Sequence, residues 1–235
     1  MVMKMRVSKT FLKSAVNPLT PKKVPKWRYR FSREWRHKFF REWQYRFFRF
    51  IQLFKEVLKM NNALIIYFSK TGNTEKVAKA IKKGLEKGGL KVTIKKVDET
   101  LDEDLYNYDL VCFGSPVHHS LPPGAVFKFI KKNDKKYRDA GEVRLSSPKV
   151  INKNAIVFCT YSGPHCGINE ALPVGKYLRQ FFEHRGFDVK GEWYEVGEFH
   201  GWEAGSTKGR LGDIRGRPNR EDLALVELKT IQLIR

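Results

Sequence analysis

Residues Ser69-Lys70-Thr71-Gly72-Asn73-Thr74 place three hydroxyls, a cation, an amide and a glycine between an apolar run and an amphipathic one. Where a helix begins, backbone N–H groups point outward and the helix dipole favours negative charge, so such a segment can bind an anion. The hydroxyls of Ser69, Thr71 and Thr74 can each donate to a phosphate oxygen, and Gly72 lets the backbone approach closely. The spacing is too short for a Walker loop and lacks its Lys-Ser/Thr ending, and no G-x-G-x-x-G is present. Triphosphate hydrolysis and dinucleotide wrapping are therefore disfavoured. The same residues can also form a tight turn and a helix cap with no ligand.

Two later loops carry other reactive types. Gly114 to Pro123 contains His118 and His119, and Thr160 to Glu170 contains Tyr161, His165 and Cys166. An ordinary imidazole titrates near neutrality, so each His is either a proton-handling group or a plain turn residue. Cys166 is a lone thiol, and no chemistry is assigned to it.

These loops need a frame, and the sequence supplies one. Ala63 to Phe68 is a continuous apolar run, as expected for a parallel strand covered on both faces. A helix over Thr74 to Lys87 follows, with Val77, Ile81 and Leu85 at four-residue spacing and Gly88-Gly89 as its stop. Further strands are expected over Lys91 to Val97, Asp109 to Gly114, Asn154 to Thr160 and Phe187 to Val196. Helices are expected over Ala125 to Lys132 and Ala171 to His184, with a last one capped by Asn219 and Asp222. Five strands alternating with helices describe a doubly wound α/β sheet, whose ligands bind beyond the carboxyl ends of the strands. The glycine-rich stretch Gly197 to Pro218 is long for a loop and suits a mobile cover or a partner contact.

Y-F-S-K-T-G-N-T-E-K-V-A-K-A-I, G-S-P-V-H-H-S-L-P-P and T-Y-S-G-P-H-C-G-I-N-E, taken together, resemble the flavodoxin-like superfamily over about residues 61–235. The resemblance implies a flavodoxin-like five-stranded parallel sheet in order 2-1-3-4-5 and FMN as cofactor, its phosphate on Ser69, Lys70, Thr71, Gly72, Asn73 and Thr74. It places the flavin ring between Ser115, Pro116, Val117 and His118 on one side and Thr160, Tyr161, Ser162, Gly163 and Gly167 on the other. Tyr161 is the candidate for stacking on the ring, since the first ring loop holds no Trp. That lack makes the loops more similar to FMN reductases and NAD(P)H:quinone oxidoreductases of the tryptophan-repressor-binding-protein type, in which His165 would stand by the flavin as a catalytic residue. The expected partners are NAD(P)H, a quinone or a redox partner protein. A flavodoxin-type carrier without its own NAD(P)H oxidation and a non-catalytic binding module stay open as alternatives.

The composition fits one α/β domain with an appendage, and homo-oligomers are compatible with it. Net charge is +21, of which residues 1–60 hold +14. Over about residues 26–60, Trp35, Phe39, Trp43, Phe47, Phe50 and Phe54 fall on one helical face and His37, Lys38, Arg41, Arg49 and Lys55 opposite, the pattern of a peripheral membrane anchor on anionic lipid. Packing on the body or on a second copy is the alternative, and nucleic acid is disfavoured. Met60-Asn61-Asn62-Ala63 is also a natural place for such a chain to begin. Three cysteines without a Cys-x-x-Cys pair suggest neither disulfide, zinc nor iron–sulfur site, and a cytoplasmic setting is expected.

Overall fold

The computed structural model describes residues 43–48, 60–100 and 103–234. Residues 43–48 are helical and exposed, and the rings of Trp43 and Phe47, four residues apart, stack at 5.2 Å. The remainder of the helix expected up to residue 59 lies outside the described residues. Among those described, no helix is long and apolar enough to cross a membrane.

The body alternates β1 (Asn62–Tyr67), α1 (Asn73–Lys87), β2 (Lys91–Lys96), β3 (Leu110–Pro116), α2 (Gly124–Asp139), β4 (Asn154–Tyr161), α3 (Leu172–Glu183), β5 (Asp188–Val196), α4 (Glu203–Thr207) and α5 (Arg220–Leu233). All neighbouring strands pair in parallel, in the order β2-β1-β3-β4-β5. The unbroken apolar run of β1 has the cause expected for it. Leu64 and Ile66 enter the core under α2 and α3, while Ala63 and Ile65 enter the one under α1 and α5. The two edge strands, β2 and β5, are only half-buried along most of their length.

α1 presents Val77, Ile81 and Leu85 to the sheet, and all three are fully buried. α5 begins at a capping box: Asn219 accepts from the Asp222 amide, and Asp222 accepts from the Asn219 amide. Two boundaries differ from expectation by more than one residue. β3 continues through Ser115 to Pro116, because these residues still pair with Cys159 and Thr160 of β4. α2 continues to Asp139, its inward stripe completed by Asn133 and Tyr137. Interspersed lysines obscure that stripe in the sequence.

α1 and α5 approach closely at Gly84. A Cβ there would lie 2.7 Å from Thr230 Cβ and 2.8 Å from the Glu227 carbonyl oxygen. Alanine gains about 1 kcal/mol in helix propensity over glycine, but overpacking typically costs ~1–3 kcal/mol. A backbone carbonyl cannot rotate away, so the second effect should win. Gly84→Ala is expected to lower stability by ~1–2 kcal/mol, read from the midpoint of urea unfolding; an unchanged or raised midpoint would show that the helices separate freely.

Candidate functional site

A fully parallel sheet brings the carboxyl ends of all strands to one edge. There the segments after β1, β3, β4 and β5 enclose a cavity of about 860 Å³, within the size range of small-molecule sites.

The segment after β1 turns at Gly72, whose φ of +97° is one that a side chain would oppose. The Gly72 amide donates to Ser69 Oγ at 3.1 Å, closing the turn. No side chain caps α1, so its first-turn amides remain free to meet an anion. Ser69, Lys70, Thr71, Asn73 and Thr74 line the cavity, and Gly72 forms the left-handed turn among them. Two of these side chains also hold neighbouring loops. Thr74 Oγ1 lies 2.7 Å from Thr160 Oγ1, both residues being buried. The Asn73 side-chain amide donates to the Glu198 carbonyl at 3.0 Å, with His200 Nε2 3.4 Å from its oxygen. In a hydroxyl pair one proton bridges the two oxygens, leaving the other available to a ligand.

Pro116 at the end of β3, and Val117, His118, His119 and Ser120 after it, form a second wall. The Val117 amide donates to the Thr160 carbonyl at 2.9 Å, and His118 and Leu121 exchange amide bonds across a turn in which His119 and Ser120 are left-handed. Ser115 is fully buried and donates its hydroxyl to the Pro116 carbonyl at 2.8 Å. Burial, then the nearby charges of Lys70 and His119, lowers the His118 pKa below its usual value.

Thr160 and Tyr161 at the end of β4, and Ser162, Gly163 and His165 after it, form a third wall. Gly163 is left-handed, and a Cβ on it would fall 2.6 Å from the Gly167 carbonyl oxygen. Gly167 therefore packs beneath the loop and does not line the cavity. The amides of His165 and Cys166 both donate to Glu170 Oε1, at 2.8 and 2.6 Å. Tyr161 is 7% exposed and part of the wall, with little ring free to stack.

The fourth wall was only partly legible. Glu198, Phe199, His200 and Trp202 after β5 line the cavity, although the sequence suggested no more than a cover over residues 197–218. Phe199 and Trp202 pack edge-to-face at 5.2 Å and 87°, and His165 lies 6.0 Å from Trp202. Several bonds anchor this segment. Phe199 donates to buried Ser206 Oγ at 2.9 Å, and the Ile214 amide donates to the Ser206 carbonyl at 2.8 Å. The aromatic pair at the carboxyl end of the last strand was the available signal. Among the described residues no cluster of His, Cys, Asp and Glu is arranged to hold a metal ion.

The flavodoxin domain family matches residues 64–184. The NAD(P)H dehydrogenase (quinone) of Archaeoglobus fulgidus is 26% identical over 198 residues, spanning 72% of this chain and 93% of its own. An uncharacterized protein of Methanocaldococcus jannaschii is 29% identical over 162 residues, 68% of this chain and 90% of its own. The crystal structure of oxidised flavodoxin 2 from Bacillus cereus superposes with a TM-score of 0.51 at 19% identity, covering 73% of this chain and 97% of that one.

The His118 environment has a measurable consequence. With its folded pKa below the unfolded value of about 6.5, the folded state binds fewer protons, so this residue's contribution to stability falls as pH drops through 6.5 towards the folded pKa. Titration of the ring resonances by NMR should place the His118 midpoint below that of an exposed His. Lys70→Ala should raise it; a midpoint unmoved by that substitution would remove Lys70 from its surroundings.

Proposed function

Because the chain belongs to the flavodoxin domain family, we propose that it is a redox flavoprotein that holds FMN in the cavity at the carboxyl edge of its sheet. The observation that carries this reading is the uncapped start of α1, opening into the cavity between Ser69 and Thr71. An anion there would meet free amides, hydroxyls and the positive end of the helix dipole, with Lys70 beside it. The donor set suits a phosphate monoester, and Pro116, Val117, Phe199 and Trp202 offer apolar surface for a flat ring. FMN bound there would supply transfer of one or two electrons.

The protein's own residues would bind and orient. Ser69, Lys70, Thr71 and Thr74 would hold the phosphate, and the Ser162 and Gly163 amides would offer donors to the polar edge of the ring. His165, exposed on the rim beside Trp202, would hold or release a proton at an imidazole nitrogen when an acceptor docks. Two features favour a nicotinamide donor and a quinone or protein acceptor over a pure carrier: the similarity to a relative named as a quinone dehydrogenase, and a rim exposing Phe199 and Trp202 to 40% and 41%. Carrier activity, with a protein partner supplying the electrons, is the second reading.

Titrating FMN and riboflavin separately into flavin-free protein tests the site. FMN is expected to bind and lose fluorescence, with riboflavin at least about 100-fold weaker, since charge-assisted hydrogen bonds contribute ~1.5–3 kcal/mol each. A protein that purifies colourless and ignores added FMN would sink the proposal. Stopped-flow mixing of the loaded protein with NAD(P)H then separates the readings: rapid bleaching identifies a reductase, and bleaching only on addition of a partner reductase identifies a carrier.

A further inference from the structure

Most of the body's excess charge sits in one segment. Residues 61–235 carry a net +7, of which residues 124–153, comprising α2 and the loop into β4, carry +6. Since α2 buries Val126, Phe129, Ile130 and Tyr137, the side chains of Lys128, Lys131, Lys132, Lys135 and Arg138 form a stripe on the exposed side. Lys135 pairs with Asp139 at 2.6 Å, and Lys128, Lys131 and Arg138 make no ion pair among the described residues.

A cationic stripe alone is an ordinary solvated helix face. The loop that follows adds a second, independent feature. Leu145 is 98% exposed and Ile151 76%, with Val150 beside them at 39%. Arg144 and Lys149 flank these aliphatic side chains. The backbone is left-handed at Ser146, Ser147 and Asn152, and the Val150 amide is held by the Gly186 carbonyl at 2.9 Å. The loop thus holds its aliphatic side chains exposed, with Arg144 beside Leu145 in sequence and Lys149 held by Asp188 at 2.8 Å.

We propose that this edge of the body docks on the surface of an anionic lipid bilayer, with the α2 cations against headgroups and Leu145, Val150 and Ile151 among the upper acyl chains. Cations beside protruding aliphatics match both layers of such a surface. An acidic protein or a nucleic acid would use the stripe but gain little from the tip. Position agrees with this choice. The loop enters the amino end of β4, so it lies one strand length from the cavity, about 26 Å for eight residues. The proposal is independent of what the cavity binds.

Hydrogen exchange on the full chain, with phosphatidylcholine vesicles containing or lacking phosphatidylglycerol, tests it by segment. Anionic vesicles should slow exchange over residues 140–153 and leave residues 160–170 unchanged. In co-sedimentation, Lys131→Gln/Arg138→Gln should weaken partitioning about 25-fold at low ionic strength, about fivefold per cation. Leu145→Ser/Ile151→Ser should abolish the protection of residues 140–153. Vesicle binding that leaves these residues unprotected would overturn the proposal. So would protection elicited by polyglutamate or RNA and not by anionic vesicles.

Discussion

The site depends on one buried contact, the hydroxyl pair of Thr74 and Thr160. It joins the first turn of α1 to the end of β4 across 86 residues of sequence, at 2.7 Å. The pair forms only if β3 stands between β1 and β4 in the register that sets Pro116 beside Thr160. Asn73 does the equivalent for the segment after β5 by holding Glu198 and His200. A net hydrogen bond contributes only about 1 kcal/mol, but stranding one buried hydroxyl costs ~1–3 kcal/mol, so the geometry is sharply specified. The side chains at the start of α1 thereby organise the walls, while its backbone amides stay uncommitted. A helix start can hold an anion and also assemble the pocket around it because these two sets of atoms are separate.

What was legible in the sequence follows from the range of the interactions concerned. Strand β1, the helix stop at Gly88-Gly89 and the Asn219–Asp222 capping box are set by neighbours within a few residues, and the sequence displays them directly. The anion loop was legible for the same reason. Gly72, Gly167 and Ser115, expected at the cofactor, are not among the residues that line the cavity: Gly72 and Gly167 hold left-handed turns, and Ser115 is buried with its hydroxyl on the Pro116 carbonyl. Which way a side chain points depends on strand register, and register depends on partners tens of residues away. Tyr161 shows the same limit: its type suits a stacking ring, but its place at the end of a central strand buries it. The exposed aromatics come from Phe199 and Trp202, beyond an edge strand, where no periodic signal marks them.

The acids near the cavity are committed to structure. Glu170 accepts the His165 and Cys166 amides, and Glu198 accepts the Gly216 amide at 2.8 Å. Each carboxylate fixes a loop and has part of its charge spread over N–H donors. Lys70 and the start of α1 face the same space without a carboxylate partner among the described residues. The cavity therefore presents a positive end, even though most of the excess charge of residues 61–235 lies elsewhere, in residues 124–153.

Helix polarity explains part of that distribution. In this sheet the long helices run antiparallel to the strands, so their starts face the cavity edge and their ends the opposite one. A helix end carries about half a negative charge, and cations within its last turn are stabilised. Lys136 and Arg138 in the last turn of α2, and Lys87 in that of α1, have this local reason for being there. The effect fades within one turn, so it does not account for Lys128 and Lys131, which lie two or more turns from the end of α2. Nor does it account for the loop beyond, where Lys149 pairs with Asp188 at 2.8 Å and Arg144 accompanies side chains that gain nothing from a dipole. The dipole thus explains the cations at the helix ends and leaves the remainder of the stripe, together with its apolar tip, to be explained by what the protein meets.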